Sequence, residues 1–533
     1  EMCIRDRFWN APNMVTGEGL KAVAMFEAIE RGEVKALWVM HTNPAVTLPR
    51  ADAMRDAMRK LDLFVVSEAV TRTDTTASGA HVLLPALAWG EKDGTVMNSE
   101  RRISRQRAFL PAPGEAKADW EHIALVAKRM NFAGFDYSGA ASIFSEHAAL
   151  SALDNDGNRD FDIGALADRD AAAFDAAEPF LWPWRKGGAP QQRFFAEGGF
   201  FTPDQRARLI AVAEPALAAA PDGDFPFILN TGRVRDHWHS MTRTGKALRL
   251  ARHVMEPMLA LNPEDARHLA TTEGGYVRID SRDGTASLRV TIDAGLPRGT
   301  VFAPFHWNDA TSGLARIDAV AHALADPVSG QPELKATPVA LSKLAIACEG
   351  VLLTRRHVDM PVWLSHARLT IPGGEAVLFA STQRAASLHA LLLNHLGEMP
   401  RRADMADPDA QDFRTVSFTD GRLDAVLFVG PSRDEAAIDW LIDAFGRAKL
   451  EEGEARAALA GRDPEGGVET GPMICSCFGV RRAAIAEAAR AGAHDVEAIG
   501  AALKAGTNCG SCRPEINKVI DDERILASQT AAA

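Results

Sequence analysis

The chain has 533 residues, 59 Lys and Arg against 71 Asp and Glu, and a formal net charge of -12. An apolar content of 47% and a charged content of 24% describe a globular polypeptide with room for roughly three to four domains. The acidic balance argues against nucleic acid as a partner. No apolar run approaches the roughly 18 residues of a membrane span, so no membrane is expected either.

Cysteine usage adds a compartment. Of six cysteines, four fall between positions 475 and 512, which fits a local metal site in a reducing, cytoplasmic setting better than a secreted disulfide framework. The opening residues Glu1, Met2, Cys3, Ile4, Arg5 and Asp6 carry no secretion signal and do not look like a natural start. They suggest a foreign leader on an N-terminally truncated fragment, which alone would be inactive.

Residues 7–220 read as an α/β layer. Apolar positions at helical spacing over 19–29 end at Gly32, and short apolar strands follow at 36–40, 63–66 and 82–84. Helices alternating with such strands predict a parallel sheet, whose ligands sit off the C-terminal strand ends, here Thr42-Asn43 and Ser67-Glu68. Helical patterns cover 119–130 and 140–153, and 154–169 reads as a loop. The aromatic run over 181–202 reads as packing.

Residues 221–345 read as a small β-barrel with two helical insertions, one at 263–271. Strands at 276–280, 286–292 and 300–303 are separated by Gly-Gly, Asp-Gly and Pro-Arg-Gly turns. Its first strand, 225–229, meets the turn residues Asn230, Thr231 and Gly232. A basic stretch follows: Arg233, Arg235, Arg243, Lys246, Arg249 and Arg252, with Asp236 alone acidic, interleaved with His237, Trp238, His239 and Ser240. Forked Arg groups beside hydroxyls and a glycine turn suit a phosphate-bearing ligand rich in heteroatoms. His306, beside Trp307, reads as a satisfied barrel residue.

Residues 346–470 are less telling. Strands at 363–370, 375–380 and 425–429 with helices at 383–396 and 435–448 suggest an α+β connector, and 451–471 reads as a charged, Gly-rich linker. The DGRL-x-AVLFVG pattern weakly resembles flavin-dependent pyridine-nucleotide reductases. Residues 472–520 hold Cys475-x-Cys477 and Cys509-x-x-Cys512, each ahead of a helical pattern. Positive helix ends favour an anionic, thiolate-ligated centre; four cysteines alone also fit zinc. Cys3 and Cys348 lack partners at ligand spacing.

Five segments resemble known families. TGR-x3-HWHS-x-TRTG (231–245), EK-x-GT-x2-N-x-E-R (91–101) and DPVSGQPELKATP (326–338) resemble molybdopterin oxidoreductases, more narrowly their nitrate reductase branch. Residues 193–204 resemble the strand entering that family's last domain. ICSCFGV through AGTNCGSCRPEI resembles bacterioferritin-associated-ferredoxin-like [2Fe-2S] domains.

The resemblance implies a partial molybdopterin oxidoreductase domain (7–220), a double-psi dinucleotide-binding barrel (221–345), the connector and a helical [2Fe-2S] domain (472–520). It implies a molybdenum bis(molybdopterin guanine dinucleotide) cofactor. Asn43, Ser67, Glu68, Lys92 and Asp119 would hold its nucleotide half; Thr231, Gly232, Arg233, His237, Trp238, His239, Ser240 and Lys335 would clamp the rest. Cys475, Cys477, Cys509 and Cys512 would ligate the [2Fe-2S] cluster. A [4Fe-4S] cluster and the molybdenum ligand would lie upstream. The implied reaction is assimilatory reduction of nitrate to nitrite, with electrons from a reductase, ferredoxin or flavodoxin. Alternatives are a formate dehydrogenase and a non-enzymatic electron-transfer module.

Overall fold

The computed structural model describes residues 2–157, 159–191, 193–213, 216–464 and 471–532. The chain forms two units. One gathers Glu1–Thr42, Met58–Thr71 and Gly79–Ala216; the other gathers Asn43–Ala57, Arg72–Ser78 and Leu217–Ala533.

The first unit is built on a parallel sheet in the order Ala36–Met40, Leu63–Glu68, Val82–Pro85. The register pairs Met40 with Ser67 and Glu68 with Pro85, so the strands finish together. Helix Ala22–Glu30 buries Val23, Phe26 and Ile29 on one face, the stripe its spacing predicts, with the small Ala28 buried beside it. Helix Asp119–Arg129 starts where Glu121 accepts from the Ala118 N–H at 2.8 Å. The aromatic run is packing: the Phe195 and Phe200 rings stack 4.5 Å apart and Trp182 meets Phe161 edge-on. The strand expected over 193–204 does not form among the described residues. Phe195, Gly198 and Gly199 all take positive φ, which breaks an extended run.

The second unit contains a closed six-stranded barrel. Its order is Thr285–Ile292, Met258–Leu261, Thr300–Pro304, Phe227–Gly232, Thr337–Leu344, Tyr276–Asp280. Leu229, Leu259, Val277, Ile279, Val290, Val301 and Val339 fill it, all fully buried. The first strand does not stop at Leu229. Asn230, Thr231 and Gly232 continue it, paired in parallel with Phe302, Ala303 and Pro304. Pairing with a neighbouring strand thus overrides the local turn chemistry. Among the described residues the barrel carries one α-helical insertion, Pro263–His268, capped by Asn262 on the Glu264 N–H at 2.8 Å; the second expected one is absent.

Residues 346–450 form an antiparallel sheet larger than expected, seven strands when Ser312–Gly313 is included. Its centre is Cys348–Thr354, fully buried along its length and not anticipated from sequence. A strand covered on both faces shows no alternation to read. Leu353 faces a core with Trp440 and Phe445 of helix Glu435–Phe445, while Leu352 faces one with Leu388 and Leu392 of helix Ala385–Leu396. The expected linker opens instead with a capped helix, Glu452–Ala460, closed by Gly461 in the left-handed region. The linker's residues 465–470 lie outside the described residues, as does the side chain of Cys3.

The cysteine module is a short hairpin, Met473–Cys475 with Val480–Arg481, and helices Arg482–Arg490, Val496–Leu503 and Arg513–Ala532. Its own Ile485, Ile499, Ile516 and Ile520 make its core. No helix among the described residues is long and apolar enough to cross a membrane.

Candidate functional site

The sequence-predicted residues fall into three groups. In the first unit, the shared end of the parallel strands sets His41 beside Glu68, with Nδ1 3.8 Å from Oε1. His41 Nε2 lies 2.8 Å from Asp119 Oδ1, and Lys92 Nζ donates to Asp119 Oδ2 at 3.0 Å. Glu68, Lys92 and Asp119 therefore converge around His41, which the sequence reading missed. Its position directly after a strand was the available signal. Asp119 opens its helix, where a carboxylate is favoured. Ser67 is fully buried and accepts from Trp38 Nε1 at 2.8 Å.

The second group sits where strand Phe227–Gly232 leaves the barrel. A Cβ at Gly232 would lie 2.5 Å from the Phe302 ring, so no larger residue fits without displacing it. Thr231 Oγ1 donates to the Leu334 carbonyl at 2.6 Å, and Lys335 Nζ donates to the Thr231 carbonyl. His306 supports the loop from beneath. Its Nδ1–H donates to the His239 carbonyl at 2.7 Å while Nε2 accepts from the Val234 N–H at 3.0 Å. A ring nitrogen that accepts belongs to the neutral imidazole, burial holds the ring below the usual imidazole range, and both ring nitrogens are satisfied as expected. Asn308 Nδ2 donates to the Ser240 carbonyl at 2.7 Å. Asn43 joins this group: its Nδ2 donates to Ser240 Oγ at 3.1 Å and its Oδ1 accepts from Thr75 Oγ1 at 2.7 Å.

The loop held this way is strained and positively charged. His239 and Met241 both take φ near +50°, an unfavourable setting for side chains of their size. Burial, then the neighbouring His306, pushes His237 down to about 4, so it too is neutral. Arg233 lies over the Trp238 ring, 5.3 Å from its centroid. Among the described residues Arg233, Arg243, Lys246 and Lys335 make no salt bridge. Unpaired cations gathered in a chain of charge -12 fit an anionic ligand.

The third group is the four cysteines. They approach as two pairs, each drawing one thiol from each motif. Cys477 Sγ lies 3.4 Å from Cys509 Sγ, and Cys475 neighbours Cys512 closely enough that, after burial, it too pushes that thiol up. Cys475 and Cys512 are buried, whereas Cys509 is exposed. Among the described residues no three His, Cys, Asp or Glu side chains converge on one point as a single metal ion would require. Two pairs of thiols fit a two-iron cluster with two ligands per iron better than one zinc ion. The Ser511 hydroxyl, first among several hydrogen bonds, holds the Cys509 thiol below its usual range, while burial pushes Cys512 up to about 11.

Comparison with known proteins assigns each group to a family. Residues 9–129 match the Molybdopterin oxidoreductase family, 227–338 the Molydopterin dinucleotide binding domain, and 473–522 the BFD-like [2Fe-2S] binding domain. A nitrate reductase of Klebsiella oxytoca is 40% identical over 96% of this chain and 58% of its own length. A nitrate reductase of Shewanella frigidimarina is 37% identical over 66% of this chain and 40% of its own. An assimilatory nitrate reductase catalytic subunit of Bacillus subtilis is 32% identical over 60% of this chain and 44% of its own. The chain thus spans about half the length of the curated relatives it matches. It carries, in sequence order, a molybdopterin oxidoreductase domain, a molydopterin dinucleotide binding domain and a BFD-like [2Fe-2S] binding domain.

Proposed function

We propose that the chain serves molybdenum-dependent reduction of nitrate to nitrite in nitrate assimilation, with electrons entering through a C-terminal [2Fe-2S] cluster. The observation that carries this reading is the set of unpaired cations on a strained, buttressed loop, matched to a dinucleotide-binding family. When bound, the molybdenum–pterin guanine dinucleotide group supplies the two-electron redox chemistry.

The chain's own residues bind and orient. Arg233 and Lys335 meet phosphate or pterin with donors that no carboxylate occupies. Glu68 and Asp119 accept from the nucleotide half while Lys92 donates. Asn43 and Ser67 spend their side-chain hydrogen bonds within the fold, and act by holding Ser240 and Trp38 in place. Gly232 keeps the strand exit open, and Thr231, His237, Trp238 and His239 shape the loop. Cys475, Cys477, Cys509 and Cys512 ligate the cluster. Held there, a cluster would supply one-electron transfer from a reductase, ferredoxin or flavodoxin, in a cytoplasm where thiols stay reduced.

The boundaries 7–220, 221–345, 346–470 and 472–520 are part of this reading. The test is a substrate comparison on protein containing this chain, purified with molybdenum. Reduced dye with nitrate is expected to yield nitrite, and formate with oxidised dye to yield no turnover. Formate oxidation without nitrite formation would overturn the reading in favour of a formate dehydrogenase.

A further inference from the structure

The basic stretch sends its side chains to two places. Arg233 stays with Trp238 at the barrel exit. Two residues on, Arg235 turns to the cysteine module: Nη2 donates to the Ile474 carbonyl at 2.8 Å, and Nη1 lies 2.8 Å from Glu515 Oε2. Asp236 Oδ2 accepts from Ser476 Oγ at 2.6 Å and lies 3.4 Å from His253 Nδ1. His253 Nε2 lies 3.1 Å from Glu515 Oε2, which closes a ring of four side chains. Arg249 adds a bond to the Cys477 carbonyl at 3.2 Å.

These contacts grip the ligating loop itself. Ile474, Ser476 and Cys477 belong to the first cysteine motif, and Glu515 follows Cys512 on the first turn of the last helix. Side-chain exposure is 14% for Arg235, 8% for Asp236 and 10% for His253. Burial works against the Asp236 carboxylate, yet the Arg235 and Ser476 hydrogen bonds outweigh it and hold its pKa low. Arg235 and Asp236 are thus a charged, buried pair, and removing one leaves the other away from water, while Glu515 at 33% exposure closes the ring from its rim.

We propose that Arg235, Asp236, His253 and Glu515 form a positioning lock that seats the cluster loop on the loop of the cofactor clamp. Arg235 also supplies a positive charge that raises the cluster's reduction potential. The inference rests on the reading of the four cysteines as cluster ligands. None of the four residues touches the reacting group; they fix the separation across which electrons pass, and transfer rates fall steeply with distance.

The experiment uses the full chain with its cluster. Hydrogen exchange is followed at 473–478, 513–520 and 233–240 in Glu515→Gln, Arg235→Gln and the double variant, with the exposed Arg267→Gln as control. Each single change is expected to speed exchange in all three segments about tenfold, with the double no worse than the worse single, as coupled partners require. The control should exchange as the parent does. The reduction potential is expected to fall in Arg235→Gln, where a positive charge is lost, and to stay in Arg267→Gln. Unchanged exchange, strictly additive effects or an unmoved potential would overturn the lock. Iron content decides the cluster reading separately: a colourless parent chain refutes that reading, while exchange still decides whether the two loops are locked.

Discussion

The cysteine module and the cofactor clamp are opposite solutions to building a site. The module is local. Its four thiols lie within residues 475–512, and its own isoleucines make its core. The clamp is assembled from distant pieces: Asn43 reaches Ser240 across 197 positions, Lys335 reaches Thr231 across 104, and His306 reaches Val234 across 72. A site made of nearby residues needs only its spacing and a few helix starts. A site made of remote ones exists only once the barrel has closed, so the loop-closure entropy falls on the clamp. Loss of a cluster ligand should therefore leave the barrel folded, and loss of a clamp cation should leave the iron in place, although the two loops are joined through Arg235 and Glu515.

Three experiments press on that contrast. The largest effect is expected from Cys512→Ala, which removes a buried thiol from one of the two pairs. Iron should drop from about two per chain to near none, with the barrel's unfolding transition unmoved. Iron at the parent level would mean that Cys512 is not a ligand.

The next concerns Asp318, fully buried in the barrel with Oδ1 unbonded, and pushed up to about 8 by burial against the opposing pull of Lys335. A carboxyl raised on folding binds its proton more tightly in the native state. The native state therefore holds more protons between about pH 4 and 8, and barrel stability falls as pH rises through that window. Asp318→Asn should flatten the slope by up to about 1.4 kcal/mol per pH unit. Thermal unfolding at several pH values measures it, and an identical slope in parent and variant would rule out Asp318 as its source. The module's iron should not respond.

The smallest effect is expected from Arg233→Ala. Loss of one charge-assisted contact costs about 1.5–3 kcal/mol, so molybdenum occupancy should fall at least tenfold while iron stays constant. Metal analysis of protein grown with limiting molybdate is the readout. Full occupancy in the variant would remove Arg233 from the clamp.

Much of this was open to reading from the chain alone. The three parallel strands, the barrel strands 276–280 and 285–292, helix Asp119–Arg129 and both cysteine motifs follow from periodicity or short spacing, which are properties of neighbours in sequence. What escaped depended on distant partners. Asn230–Gly232 carry turn chemistry but are drawn into a strand by Phe302–Pro304. Cys348–Thr354 shows no alternation because helices cover both its faces. His41 gains its place only when two strand ends meet Asp119. The basic stretch makes the same point. Arg233 and Arg235 are alike in sequence, two residues apart in one loop. Composition and motif pointed to a stretch suited to anions. Only the tertiary fold decided that, among the described residues, Arg233 meets no carboxylate while Arg235 lies 2.8 Å from Glu515, because a charge's role is set by what is buried beside it.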